Sequence, residues 1–435
     1  MIIIITASIV WTIASVTHFQ PKQCPPMQSD FLAPKIFHRH TRKAATRIPD
    51  ESSKEKPNPK NEVPLIITEP YNGPARVFPE FQHPFPCFPT DEKLMQETPA
   101  SQGILFQRPH KTGSTTMVGI ILRLVHNRAK DLGYQRCLHR TMHGIARQYN
   151  YSQRISSKSF LLSIIRDPKA RLISEFFHFD VTARNNEPTD INFQTMILKR
   201  GHNYYLRELT TRHYVPNTTV GFEFAFAKSK GFKTIKELYG AKKRLYPVTN
   251  RLLDQELISS RIFGLSYQPK TVIQHILEDY DFIAVMERLD ESLVVIQMLL
   301  GLTTKEIVYT RARSSGTFSN GWNDRPCFYI MKSFISKGMQ NYFASEEFQL
   351  LIANDWYFYQ AVNRSLDITI ASLDRQLFEQ NLAALRSALP LAAKHCQGQV
   401  QTMCDQGGNP IPIANRTCYI WGEGCDHGCI DELEL

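Results

Sequence analysis

Two short stretches hold residue types that could bind an anion and act on it. The first is Arg108-Pro-His-Lys-Thr-Gly-Ser-Thr-Thr116. Lys111 supplies a charge, Gly113 lets a ligand approach the backbone, and Thr112, Ser114, Thr115 and Thr116 supply hydroxyls. A helix starting here would add free amides and the positive end of its dipole, giving an anion cradle of the P-loop type. It is not a Walker A loop, because the lysine precedes the glycine. A plain polar strand–helix turn has the same composition. The second stretch is Arg166-Asp-Pro-Lys-Ala-Arg-Leu-Ile-Ser174. Asp167-Pro168 is a helix start, and Ser174 lies two turns past the cap, on its face. Arg166 and Ser174 could hold one phosphate together, or be a solvated pair. His110, His139, His143 and His178 are the histidines near these stretches, and histidine is the natural proton acceptor near neutral pH.

Both stretches must sit between a strand and a helix. Gly103–Gln107 reads as a buried strand, with helical apolar spacing from Met117 to Val125. Phe160–Ile165 is a second strand, followed by a helix to about Phe179. A third unit pairs a strand at Asp281–Met286 with a helix from Asp290 to Leu300. Helical patterns follow at 191–213, 232–240, 269–279, 327–340, 346–363 and 372–388. Strands alternating with helices predict an α/β fold: a P-loop-like parallel sheet with helices on both faces.

The 435 residues hold enough apolar side chains, 42%, for a sizeable core, which excludes wholesale disorder. Net charge is +10. Residues 1–17 carry no charge and 18–100 hold 11 basic against 10 acidic residues, so nearly all the excess lies beyond 100. That suits an anionic ligand. Residues 1–17 read as a signal peptide or signal anchor. Residues 18–100 hold 15 of the 25 prolines and read as an extended stem or linker. Residues 101–395 form the expected catalytic domain, and 396–435 a disulfide-rich extension with five of the nine cysteines. Sequons at Asn150, Asn217, Asn363 and Asn415 agree with a secretory lumen. The odd cysteine is expected to be Cys24, and Cys425-x3-Cys429 lacks a second pair with zinc spacing.

Taken together, the two stretches resemble the nucleotide-binding elements of sulfotransferases that use 3′-phosphoadenosine 5′-phosphosulfate (PAPS). His110-Lys-Thr-Gly-Ser-Thr115 looks like the 5′-phosphosulfate loop, and Arg166-Asp-Pro-x2-Arg-x2-Ser174 looks like the 3′-phosphate element. The form of the first loop, with Asp290-Glu-Ser-Leu-Val-Val295, is similar to the Golgi galactose 3-O-sulfotransferases. Glu287-Arg-Leu-Asp-Glu-Ser292 also resembles a segment of the uronyl 2-O-sulfotransferases. The resemblance covers roughly 101–365.

It implies a carbohydrate O-sulfotransferase, with galactose 3-OH favoured, in the Golgi membrane with a lumenal catalytic domain, or secreted. The donor is PAPS, the partner a glycan acceptor on glycoprotein or glycolipid. Neither a metal nor a nucleic-acid partner is expected, and the membrane is met through the N-terminal segment if it is uncleaved. Lys111 would stabilise the leaving phosphate, with Thr112, Gly113, Ser114 and Thr115 around the donor and Arg166 and Ser174 on its 3′-phosphate. His143 is the expected base, with His110 as the other candidate. Arg311-Ala-Arg-Ser-Ser-Gly316 is a basic loop that could close over the nucleotide. Asp355-Trp-Tyr-Phe-Tyr359 reads as core and helix surface. The competing readings are a P-loop-type kinase, for which no acidic Walker B strand end is evident, and an inactive secreted glycan-binding protein.

Overall fold

The computed structural model describes residues 71–90, 101–200, 203–212, 269–310, 315–320, 327–397, 399, 404–411 and 428–434. All belong to one compact unit, Glu62–Leu435. The first half runs β1 (Gly103–Gln107), α1 (Ser114–Asp131), β2 (His139–Met142), β3 (Ser159–Ile165), α2 (Pro168–Glu175), a π-helical turn (Phe176–Ala183), α3 (Asp190–Arg200) and α4 (Tyr204–Leu209). The second half runs α5 (Pro269–Asp279), β4 (Phe282–Val285), α6 (Leu289–Leu300), α7 (Thr304–Ile307), β5 (Phe318–Asn320), β6 (Cys327–Tyr329), α8 (Lys337–Phe343), α9 (Glu346–Ser372), α10 (Arg375–His395) and α11 (Gly428–Asp431).

The central sheet is parallel with strand order β2-β1-β3-β4. Strands β1, β3 and β4 are buried at every position, as a sheet covered on both faces requires. Ile104 stands between His139 and Phe160, and Leu162 opposite Phe282. After β1 the chain first crosses to β2 on one side, then returns to β3 on the other. The β1/β3 boundary is therefore the topological switch point, and a crevice opens there beyond the strand ends. Both stretches singled out above leave the sheet at that point.

The expected α/β fold is thus the observed one. Four local expectations differ. The helix forecast over 191–213 breaks at Asn203, whose φ is 49°, into α3 and α4. The stretch 327–340 starts as β6, paired with β5, and becomes helical only at Lys337, because Ser336 supplies the cap by accepting from the Met339 amide. The edge strand β2 was hidden in a histidine-rich segment. Finally, residues 71–90, proline-rich like the stem, pack on the domain. Phe78 is buried against Phe282 at a centroid distance of 5.1 Å, and Cys87 is bonded to Cys137.

Two more disulfides hold the second half. Cys396–Cys429 lies within the tail, whereas Cys404 reaches back to Cys327 at the start of β6. Cys24, Cys418 and Cys425, the N-terminal apolar run, the sequons at Asn217 and Asn415, the helical pattern at 232–240 and residues 311–314 of the basic loop lie outside the described residues.

Candidate active site

The first loop turns sharply before α1. Lys111 has a φ of 66° and Gly113 a φ of 80°, both left-handed, so two residues of one loop occupy a conformation that L side chains rarely take. Gly113 is the N-cap of α1. No side chain caps that end, and its first turn has no acidic residue. The first-turn amides therefore face a place where an anion would be welcome. Thr112 is buried and donates its hydroxyl to the Pro109 carbonyl at 2.9 Å, which ties the loop to itself. Ser114 is also buried, while Thr115 is half-buried. Met286, just past β4, closes on Gly113: a Cβ there would lie 2.2 Å from its Sδ.

Arg166 follows β3 directly. Its Nη1 donates to the Lys111 carbonyl at 3.4 Å, so the two stretches meet. Asp167 caps α2 by accepting from the Ala170 amide at 2.8 Å, as the Asp-Pro pair predicts. Glu287 accepts from the Asp167 amide at 3.1 Å and lies 3.8 Å from Arg166 Nε. Its other oxygen accepts from the Tyr359 hydroxyl at 3.2 Å. Within the Glu287–Ser292 segment it is Glu287 that bonds the second stretch. Arg288 pairs with Glu291 and Asp367, Asp290 accepts from Tyr309, and Ser292 accepts from the Val285 amide. Ser174 is half-buried near the end of α2, and among the described residues no hydrogen bond joins it to Arg166.

The histidines separate clearly. His110 and His143, distant in sequence, stack face to face with centroids 4.3 Å apart and planes 6° from parallel. His143 Nδ1 bonds the Arg108 carbonyl at 2.7 Å. A carbonyl only accepts, so Nδ1 carries the proton and the neutral ring keeps its lone pair on Nε2. The loop around His143 is fixed by Tyr149, which donates to the His143 carbonyl, and by Gln107, which donates to the Gly144 carbonyl. Burial pushes His110 down to about 4, opposed by the Glu175 carboxylate and aided by the nearby Arg171, Arg108 and Lys111. The Phe179 ring meets His110 edge-on at 5.6 Å. His139 is buried on β2 against the Cys137 carbonyl and is likewise held neutral by burial. His178 is buried in the π-helical turn between Phe179 and Phe328. Such turns recur at functional sites.

This site is supported by Tyr204 and Tyr205, which sequence reading passed over, and by Asp355, which it assigned to core and helix surface. Tyr204 accepts from the His110 amide at 2.6 Å, and Tyr205 brackets the Arg166 backbone. Asp355 accepts from the amides of both tyrosines. Beneath them Arg171 pairs with Glu175 at 2.7 Å and lies 3.8 Å over the Tyr204 ring. The sequence signal for this layer is slight. The adjacent pair Tyr204-Tyr205 resembles ordinary core, and Asp355 lies 150 residues further along the chain.

A family model described as the sulfotransferase family matches residues 98–344. No curated protein and no solved structure matches the chain. The match spans 247 of 435 residues and includes both stretches singled out in the sequence, the histidine pair and the switch-point sheet. By that match the chain belongs to the sulfotransferase family, whose reaction moves a sulfuryl group from a PAPS-type donor to an acceptor.

Proposed function

We propose that the chain is a carbohydrate O-sulfotransferase of the secretory lumen, acting on a sugar hydroxyl, with the 3-OH of galactose favoured. The observation that carries this reading is the His110–His143 stack beside the Lys111 loop, with His143 Nδ1 on the Arg108 carbonyl. A sugar hydroxyl barely ionises at neutral pH, so an acceptor of this class needs a base at the donor loop. His143 takes the hydroxyl proton on Nε2 as the oxygen attacks. His110, neutral through burial, is the weaker base and serves as the flat face against which the His143 imidazolium forms.

The donor set fits a nucleotide with phosphates at both ends. An uncapped helix start free of carboxylates, with Gly113 at its cap, suits the 5′-phosphosulfate. Arg166, at the adjacent strand end, suits the 3′-phosphate, with Ser174 on the helix that follows. When bound, the donor supplies the sulfuryl group and a phosphate leaving group. Lys111 stabilises the charge that grows on the oxygen of that leaving phosphate.

The lumenal setting is supported by three disulfides among the described residues, a bond type that persists in oxidising compartments, and by an exposed Asn150 in a left-handed turn. No helix among the described residues is long and apolar enough to cross a membrane, so a Golgi anchor rests on residues 1–17. The test is transfer from a radiolabelled donor to a glycan panel. Label is expected on terminal β-galactosides and lost when their 3-OH is methylated. Label on uronic-acid glycans instead would move the acceptor to that class. Nucleotide binding without transfer to any glycan would favour an inactive binding protein.

A further inference from the structure

Two adjacent phenols reach both donor elements at once. They are the first two residues of α4, a helix of six residues too short to persist alone. Successive helix residues point about 100° apart, so neighbours can serve different loops. The Tyr204 hydroxyl accepts from the His110 amide at 2.6 Å, one residue before Lys111. The Tyr205 hydroxyl accepts from the Arg166 amide at 3.0 Å and donates to the Arg166 carbonyl at 2.6 Å. Both hydrogen-bonding groups of the Arg166 backbone thus end on one hydroxyl.

The phenols themselves are fixed from behind. Asp355 Oδ2 accepts from the Tyr204 amide at 2.9 Å and Oδ1 from the Tyr205 amide at 2.8 Å. On the preceding residue of α9, Asn354 donates to the Asn203 side chain at 2.8 Å. Arg171 stacks under Tyr204, and Tyr204, Tyr205 and Asp355 are all buried. Burial holds both phenols well above their ordinary titration range, so their hydroxyls stay protonated through the working pH.

We infer that Tyr204 and Tyr205, locked by Asp355, form a spacer that sets the distance between the Lys111 loop and the Arg166 backbone to match one bisphosphorylated nucleotide. The inference rests on the donor roles proposed above for those two elements. Neither hydroxyl needs to touch the nucleotide; these are positioning residues. A ligand gripped at both ends gains by engaging its second phosphate at high effective concentration, and loses that gain when the grips stand at the wrong separation. A ligand with one phosphate does not sense the separation.

The test uses the full chain with Tyr205→Phe and Tyr204→Phe, which remove a hydroxyl and keep the buried ring. Affinity is measured for adenosine 3′,5′-bisphosphate, adenosine 5′-phosphate and adenosine 3′-phosphate, alongside Tm. For Tyr205→Phe, bisphosphate affinity should fall about tenfold, the worth of one or two lost hydrogen bonds, while adenosine 5′-phosphate affinity stays as in wild type. For Tyr204→Phe, bisphosphate affinity should fall with adenosine 3′-phosphate unchanged. Equal losses for bisphosphate and monophosphate, in step with a fall in Tm, would mean general loosening and overturn the spacer. Unchanged bisphosphate affinity in both variants would also overturn it while leaving the donor site intact. If the wild-type chain binds no bisphosphate, the donor reading fails and the spacer falls with it.

Discussion

Lys111 is the residue whose backbone and side chain ask for different things. A φ of 66° is a conformation glycine accepts freely, yet the position holds a long cationic side chain. Strain kept at such a place points to use. Lys111→Gly should therefore be at least as stable as Lys111→Ala, by about 1 kcal/mol, in a melting experiment, while both lose about 10²-fold or more in kcat. Arg166→Ala should instead raise the donor KM, because its contact is alike in ground and transition states. His143→Ala should abolish most turnover with nucleotide affinity nearly intact. A His110→Ala protein that is dead with normal nucleotide affinity, beside an active His143→Ala, would reverse the assignment of the base.

His110 gives a pH prediction at the same scale. Its folded pKa of about 4 lies below the usual 6.5, so the native state disfavours its protonation. The stability this contributes is complete above pH 6.5 and is lost as pH falls from 6.5 to about 4. Imidazole NMR should show a His110 midpoint near 4 in the folded chain. A midpoint at 6 or above would remove the argument that His110 is the weaker base.

Among the elements, those that carry the chemistry were the most legible. β1 and β3 are continuous apolar runs, the Asp167-Pro168 start is a strong local signal, and glycine marks the turn into α1. Their juxtaposition was readable because alternating strands and helices allow few topologies. What escaped was decided by distant partners. α4 starts where Asp355 accepts its first amides, 150 residues away, and β6 owes its strand to β5 and to Cys404. The His110–His143 stack depends on β2 lying next to β1, which apolar period alone does not mark. At this scale Gly113→Ala is the informative change. It meets both a positive φ and Met286, so it should cost about 1–2 kcal/mol and weaken donor binding. Unaltered stability and donor affinity would mean that the turn is freely adjustable.

For the whole molecule, the decisive feature is the segment 71–90. Composition sets the domain edge near residue 100, but Phe78 fills the core and Arg76 donates to the Leu277, Glu278 and Tyr280 carbonyls. A chain begun at residue 71 should therefore fold with full cooperativity. One begun at residue 101 should show a markedly lower Tm or fail to fold. Equal melting curves would mean that the segment is an ornament. The Cys87–Cys137 bond closes a 50-residue separation, worth about 4 kcal/mol in the chain-entropy account, so Cys87→Ser should fall between the two.

That segment also meets the β2 side of the sheet, an edge among the described residues. β2 is an edge strand, and Leu138 just before it donates to the Phe88 carbonyl while Thr90 donates to the Arg136 carbonyl. An uncovered edge is a template for pairing with another chain. Production in a reducing cytoplasm, where Cys87 and Cys137 stay apart, would remove the covalent tie that holds this flank beside β2. The expected fault is then precipitation through strand-to-strand adhesion between molecules, ahead of any disturbance of the candidate site itself. Yield of soluble protein should follow the oxidising strength of the host compartment more closely than it follows temperature or chain length.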